Sequence, residues 1–234
     1  MKFKYTISKT EEPNSEIEFI VLMALLMSNV ALSIDAVLPA LSQIGDTINS
    51  KSTSRLQYLV SMIFFGLGIG QLVFGSLSDS YGRKPTVLVG TLIFILGSLF
   101  CVFSKDMEMM LIGRILQGFG LAAPKTTSIS IIRDTYRGDK MARIMSFITV
   151  IFIIVPTIAP LIGQLILNYF PWQAIFYFQL IFVLLTILWF FFRQKETLPK
   201  VSRKQFNLAN FKYSFLEFIH SKSAVFCTLI SALM

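Results

Sequence analysis

Long apolar stretches alternate with short charged links along most of the chain. Six of them run for 18 residues or more: Ile17–Leu38, Leu56–Leu77, Thr86–Phe103, Met109–Ile132, Ile144–Leu167 and Gln173–Phe192. At ~1.5 Å rise per residue about 20 residues cross a ~30 Å hydrocarbon core, so each stretch predicts one membrane span. A seventh run, Ala224–Met234, has eleven residues and predicts only the start of another span. The pattern divides the chain into a cytoplasmic tail over 1–16, a six-helix transmembrane domain over 17–192, a basic cytoplasmic linker over 193–223 and the truncated span over 224–234. In the linker Leu208, Phe211, Phe215 and Ile219 fall at helical spacing, which predicts an amphipathic helix on the inner leaflet. The expected fold class is all-α and integral to the membrane.

Composition agrees, with 54% hydrophobic and only 15% charged residues. A net charge of +8 could suggest nucleic acid, but the bases are distributed otherwise. Sixteen Lys and Arg fall in the tail and in the links after the second, fourth and sixth spans, against Lys51, Arg55 and Lys105 on the other side. By the positive-inside rule the amino terminus is cytoplasmic, and no nucleic-acid partner is expected. Glu11, Glu12, Glu16 and Glu18 stand where a cleaved signal would be basic, so the first span is expected to stay. Cys101 and Cys227 lie inside apolar runs, and His220 lies in a polar link, so no disulfide or metal site is implied. No hydrolytic constellation and no phosphate loop is present, and the chain is not expected to be an enzyme.

A few polar residues inside the spans carry the candidate chemistry. Asp35 lies in the outer part of the first span, with Ser28 and Leu32 as candidate cavity residues. The second span holds Gly66-x3-Gly70, a face suited to close helix packing, and the third reads as lipid-facing support. The fourth holds Arg114, which must face a bundle interior or water because it costs roughly 2.5–3.5 kcal/mol in lipid. Gln117, Gly118, Leu121 and Lys125 share its face at ~100° per residue. Lys125 reads equally well as a base snorkelling to the inner interface. The fifth span carries Pro156, Ala159, Pro160 and Gly163, which predict a bend that is either static or yields as neighbours rock. Between the second and third spans, Gly75, Asp79, Gly82, Arg83 and Lys84 predict a sharp, charged cytoplasmic turn. An acid near the outer end of the first span and a base near that of the fourth suit a three-plus-three inverted repeat.

The stretches Ile34–Leu41, Gly75–Pro85, Gly113-Arg114-x2-Gln117-Gly118, Ile132-Arg133-Asp134, Ala142–Ser146 and Pro156-x2-Ala159-Pro160-x2-Gly163 resemble the Bcr/CflA-type drug-resistance branch of the major facilitator superfamily. The likeness runs from about Ile17 to Phe192. It departs at Ser80, where a base is usual, and at Ala36-Val37. The resemblance implies the amino-terminal half of a twelve-span transporter in the bacterial cytoplasmic (inner) membrane, a multidrug/proton antiporter expelling small amphipathic drugs. It implies no cofactor beyond the proton gradient, with Asp35 as the protonatable group and Arg114 as its partner. Membrane lipid, substrate and protons are the implied partners, together with a separately encoded carboxy-terminal half or a homodimer. A nutrient or sugar transporter half and a non-transporting membrane fragment are the alternatives. The few polar groups on the first and fourth spans favour drugs over nutrients.

Overall fold

The computed structural model describes residues 15–48, 53–199, 201 and 203. The amphipathic helix expected through Leu208–Ile219 and the run from Ala224 lie outside them, as does nearly all of the tail. Six long helices correspond to the six expected spans: α1 (Glu16–Asp35), α3 (Thr53–Tyr81), α4 (Arg83–Val102), α5 (Met107–Thr135), α6 (Gly138–Leu167) and α7 (Gln173–Arg193). Between the first two stands a short α2 (Leu41–Thr47), preceded by a 3-10 turn at Leu38–Ala40.

Helix ends differ from the apolar runs for local reasons. The first run was expected to reach Leu38, but α1 ends at Asp35 and the chain re-forms as a 3-10 turn with Pro39 near its start. Proline lacks the N–H that a continuing α-helix would use and suits a first turn. Elsewhere helices outrun the apolar stretches, because backbone hydrogen bonding continues through polar residues beyond the lipid. Asp106 caps α5 by accepting from the Met109 N–H at 2.8 Å, and Ser15 caps α1 from the Glu18 N–H at 3.2 Å.

Five of the long helices are long and apolar enough to cross a membrane, and α5 is the exception among the described residues. Its position explains this. Helix α5 packs along its length against α3 and α4 and also touches α1, so polar side chains on it meet protein rather than lipid. A second group forms around α1, which holds α6 and α7, and α7 also packs on α4 of the first group. The core cuts across these groups and divides by depth instead: one cluster gathers Leu22, Leu26, Phe74, Phe94 and Ile131 toward one end of the bundle, another Ala36, Ile44, Met110 and Phe176 toward the other.

Glycines set the α3–α5–α4 spacing. A Cβ on Gly66 would lie 2.1 Å from the Ile115 carbonyl oxygen, and one on Gly118 would lie 2.0 Å from that of Ile63. The expected packing face at Gly66 and Gly70 is therefore used, against α5. Helix α4 is more than lipid-facing support: Gly90, Thr91, Phe94, Gly97, Ser98 and Cys101 are buried, while Leu88, Leu92 and Leu96 remain outside.

Candidate functional site

The interior polar site is built on α5. Arg114 is fully buried, and its guanidinium donates to three acceptors. Nε reaches the Leu59 carbonyl at 3.0 Å, while Nη1 reaches the Ser33 carbonyl at 3.1 Å and Gln117 Oε1 at 3.0 Å. Gln117 Nε2 donates in turn to Ser98 Oγ at 2.8 Å, and Ser98 Oγ donates to the Phe94 carbonyl at 2.9 Å. One arginine thus joins α1, α3 and α5, and its glutamine neighbour carries the network into α4. Charge-assisted bonds to carbonyls suit an arginine that has no water to solvate it.

The expected Asp35–Arg114 pair is not formed in this structure. The Ser33 carbonyl, two residues before Asp35, takes the guanidinium instead. Asp35 is the last residue of α1 and is only partly buried, where the chain turns into the 3-10 segment. Nη2 of Arg114 has no partner and stays buried, as do Ser28 Oγ, Ser33 Oγ and both amide atoms of Asn29 on α1.

The other cavity candidates fall in different places. Ser28, Leu32 and Leu121 are buried among helices. Gly118 faces α3, where the Ile63 backbone fills the space of a side chain, so it serves helix contact. Gln117 faces α4 through Ser98, and Lys125 is half-buried further along α5. In α6, Ala159 and Gly163 are buried and Pro156 and Pro160 partly so. A Cβ on Gly163 would meet the Ala36 carbonyl oxygen at 2.1 Å, which places this stretch of α6 against the end of α1 that carries Asp35.

At the end of the bundle where α3 meets α4 the charged turn condenses into one cluster. Gly82 alone forms the turn, at φ 109°, a conformation that side chains disfavour. Gly75, expected to share that role, lies inside α3 with nothing near its missing Cβ. The nearly buried Arg83 donates to Asp79 Oδ1 at 2.7 Å, Asp134 Oδ2 at 2.9 Å and Ser78 Oγ at 2.9 Å. The end of α5 thereby joins the turn between α3 and α4. Lys84 Nζ donates to the Phe191 carbonyl at 2.9 Å near the end of α7.

Two contributors escaped the sequence reading. Backbone carbonyls, which hold Arg114 here, carry no sequence signal. Glu196 accepts from the Arg83 and Lys84 N–H groups at 2.9 and 3.0 Å; its only signal was an acid among the bases that follow the sixth span.

Comparison with known proteins bears on this arrangement. The sequence model described as Major Facilitator Superfamily matches residues 21–234. An uncharacterized MFS-type transporter, YdgK, of Bacillus subtilis is 36% identical over 174 residues, which cover 74% of this chain and 43% of that protein. A bicyclomycin resistance protein homolog of Haemophilus influenzae is 32% identical over 198 residues, 85% of this chain and 50% of that one. The multidrug resistance protein MdtL of Citrobacter koseri is 34% identical over 166 residues, covering 71% and 42%. The chain thus spans about half the length of the curated relatives it matches. Among solved structures, a peptide transporter, POT, in complex with sulfate aligns with TM-score 0.66 at 16% identity, covering 93% of this chain and 46% of that one. The human organic anion transporter MFSD10 aligns at 0.61 and 18%, covering 85% and 53%. These two likenesses concern the fold, which here is half of theirs.

Proposed function

The chain belongs to the major facilitator superfamily, a family of multi-pass membrane transporters rather than enzymes, and from that premise we propose that it serves proton-coupled efflux of small amphipathic molecules. In this reading it is the amino-terminal half of the machine, set in a bacterial cytoplasmic membrane with its amino terminus inside. The relatives named for bicyclomycin and multidrug resistance support the substrate class. The observation that carries the coupling is the buried Arg114, held by neutral acceptors with Nη2 unpaired, on a helix that touches α1 two residues from Asp35.

The carbonyls of Ser33 and Leu59 hold the guanidinium while Asp35 stays apart. When Asp35 is ionised, a small rearrangement at the end of α1 lets it compete with those carbonyls, since a carboxylate is the stronger acceptor. Protonation removes that attraction and returns Arg114 to the carbonyls. Two arrangements of α1 against α5 thus differ by one proton, and a substrate that favours one of them is coupled to it. The proline-bearing stretch of α6, seated against Ala36 through Gly163, gives the end of α1 a neighbour that can follow it.

The test is drug efflux driven by a pH gradient in vesicles. The chain is measured alone and with the carboxy-terminal half of a relative, each with wild-type and Asp35→Asn sequences. The expected result is activity only with the second half, abolished by Asp35→Asn at unchanged protein in the membrane. Undiminished gradient-driven efflux in that variant overturns the role of Asp35. Orientation is tested by labelling single cysteines from outside. Lys105→Cys should react and Asp139→Cys should not, both positions being exposed. Arg83 is unsuited to this test because it is buried.

A further inference from the structure

Helix α4 begins without a capping side chain of its own. Its N-cap is Gly82, and the first N–H groups of any helix lack partners within it. They are satisfied from 113 residues away. Glu196, three residues beyond the end of α7, sets one carboxylate oxygen 2.9 Å from the Arg83 N–H and the other 3.0 Å from the Lys84 N–H. The same carboxylate also takes the Leu198 N–H at 3.1 Å, which folds its own segment around it. Beside it, Thr197 Oγ1 donates to Asp134 Oδ2 at 3.0 Å, the oxygen that also receives Arg83 Nε. Glycine at position 82 leaves this approach open, because a Cβ there would lie 3.0 Å from Glu196 Oε2.

We propose that Glu196 is a positioning residue for the charged turn: it caps α4 from the segment that leaves the sixth span and thereby holds Arg83 between Asp79 and Asp134. An anion suits a helix N-terminus, and a carboxylate on two backbone N–H groups makes charge-assisted bonds there. Arg83 is therefore fixed twice, its backbone by Glu196 and its side chain by the two aspartates. The consequence reaches beyond the turn. Helix α7 packs on both α1 and α4, so residues 194–198 extend that contact past the end of α7 and tie it to the turn between α3 and α4. The inference does not depend on the transport reading.

Amide hydrogen exchange on the whole chain in detergent or nanodiscs tests it, with Glu196→Ala, Glu196→Gln and Thr197→Val beside wild type. In Glu196→Ala the Arg83 and Lys84 amides should exchange at least ~10-fold faster, while amides from Val87 to Ile95 keep their rates. Glu196→Gln, which keeps one good acceptor and loses the charge, should fall between wild type and alanine. Thr197→Val should leave both amides protected, because it removes only the contact to Asp134. Unchanged rates at both amides in Glu196→Ala overturn the capping role. Acceleration spread evenly over α4 and α5 overturns it too, since Glu196 would then support the fold at large.

Discussion

The two groups of helices have the same plan but different contacts. In one, α5 is flanked by α3 and α4; in the other, α1 is flanked by α6 and α7. In each, the first helix of one three-helix repeat packs on the second and third of the other repeat, as an inverted arrangement requires. The α5 group is drawn tight by Gly66, Gly70, Gly90, Gly97, Gly113, Gly118 and Gly120, where any Cβ would come under 3.0 Å from a neighbour. The α1 group has one such position, Gly163. Its outer helix α6 buries only Ile144, Ile148, Ala159 and Gly163, and leaves Phe147, Val150, Ile153, Leu161 and Leu165 exposed. Polar groups divide the same way. Gln117 and Ser98 are bonded within the α5 group, where Thr127 Oγ1 and Arg114 Nη2 are the only buried side-chain atoms without a partner among the described residues, whereas Ser28, Ser33, Asn29 and Gln179 of the other group have unpartnered side chains. A tightly packed body thus faces a looser one, and Arg114 bridges them through the Ser33 carbonyl.

The strongest way to break this comparison is to add the same methyl group to each body. Gly118→Ala puts a Cβ 2.0 Å from the Ile63 carbonyl oxygen, on a helix that Gly66 and Gly70 also hold close. It should cost about 3 kcal/mol, the upper end of overpacking, and be seen as a large fall in melting temperature and in folded protein extracted from membranes. Gly163→Ala meets the Ala36 carbonyl oxygen at 2.1 Å, a clash as severe on paper. Helix α6 has few other contacts to keep it in place, so it can move away, and the cost should be about 1 kcal/mol. Equal costs at the two sites would show that the two bodies are equally rigid.

How far the sequence carried this picture depends on what each feature needs. The spans were legible because lipid demands apolar runs, and Met109–Ile132 was read as a span even though Arg114 and Lys125 interrupt it. The helical wheel placed Gln117 and Gly118 near Arg114, but it gives an angle and not the neighbour that fills it. Gly118 thus turned out to face Ile63, and Gln117 to face Ser98. Arg114 was expected to need an acceptor and has three, two of them backbone carbonyls that no residue type announces. Glu196 was hidden because its partners are N–H groups far along the chain. The 3-10 turn at Leu38–Ala40 stayed hidden because an apolar run does not show where α-helix gives way to another backbone form.

The bridge itself comes next in size. Arg114→Met keeps the length and apolar stem but removes every donor. The Leu59 and Ser33 carbonyls and Gln117 Oε1 are left short of a partner at ~1–3 kcal/mol per group. Ending the burial of a charge offsets part of this. A net loss of about 2 kcal/mol is expected, measured by thermal unfolding in detergent. The loss should come with easier separation of the two groups, read as faster exchange at amides of α1 near Ser33 than at amides of α3 near Leu59. Equal acceleration on both sides would mean that the α5 group depends on Arg114 as much as the α1 group does.

The smallest effect should also have the opposite sign, and it lies wholly in the looser body. Helices α1 and α7 run antiparallel, tied at one end by Glu18 and Arg193, whose Nη2 reaches Glu18 Oε2 at 2.7 Å. At 1.5 Å per residue Asn29 lies about 16 Å along α1 from Glu18, and Gln179 about 21 Å along α7 from Arg193. The two carboxamides therefore lie about one helical turn apart in depth. Both are fully buried and none of their four polar atoms has a partner. Removing an unpartnered buried amide in favour of an apolar group of similar size ends a desolvation penalty and breaks no bond. Asn29→Leu and Gln179→Met should each be neutral or stabilise the chain by up to about 1 kcal/mol, seen as an unchanged or raised melting temperature. Gln117→Leu supplies the contrast in the tight body. It breaks the bonds to Arg114 and Ser98 and should cost about 2 kcal/mol. If Asn29→Leu instead costs as much as Gln117→Leu, the amides of the looser body are as well partnered as those of the tight one, and the polar half of the comparison fails.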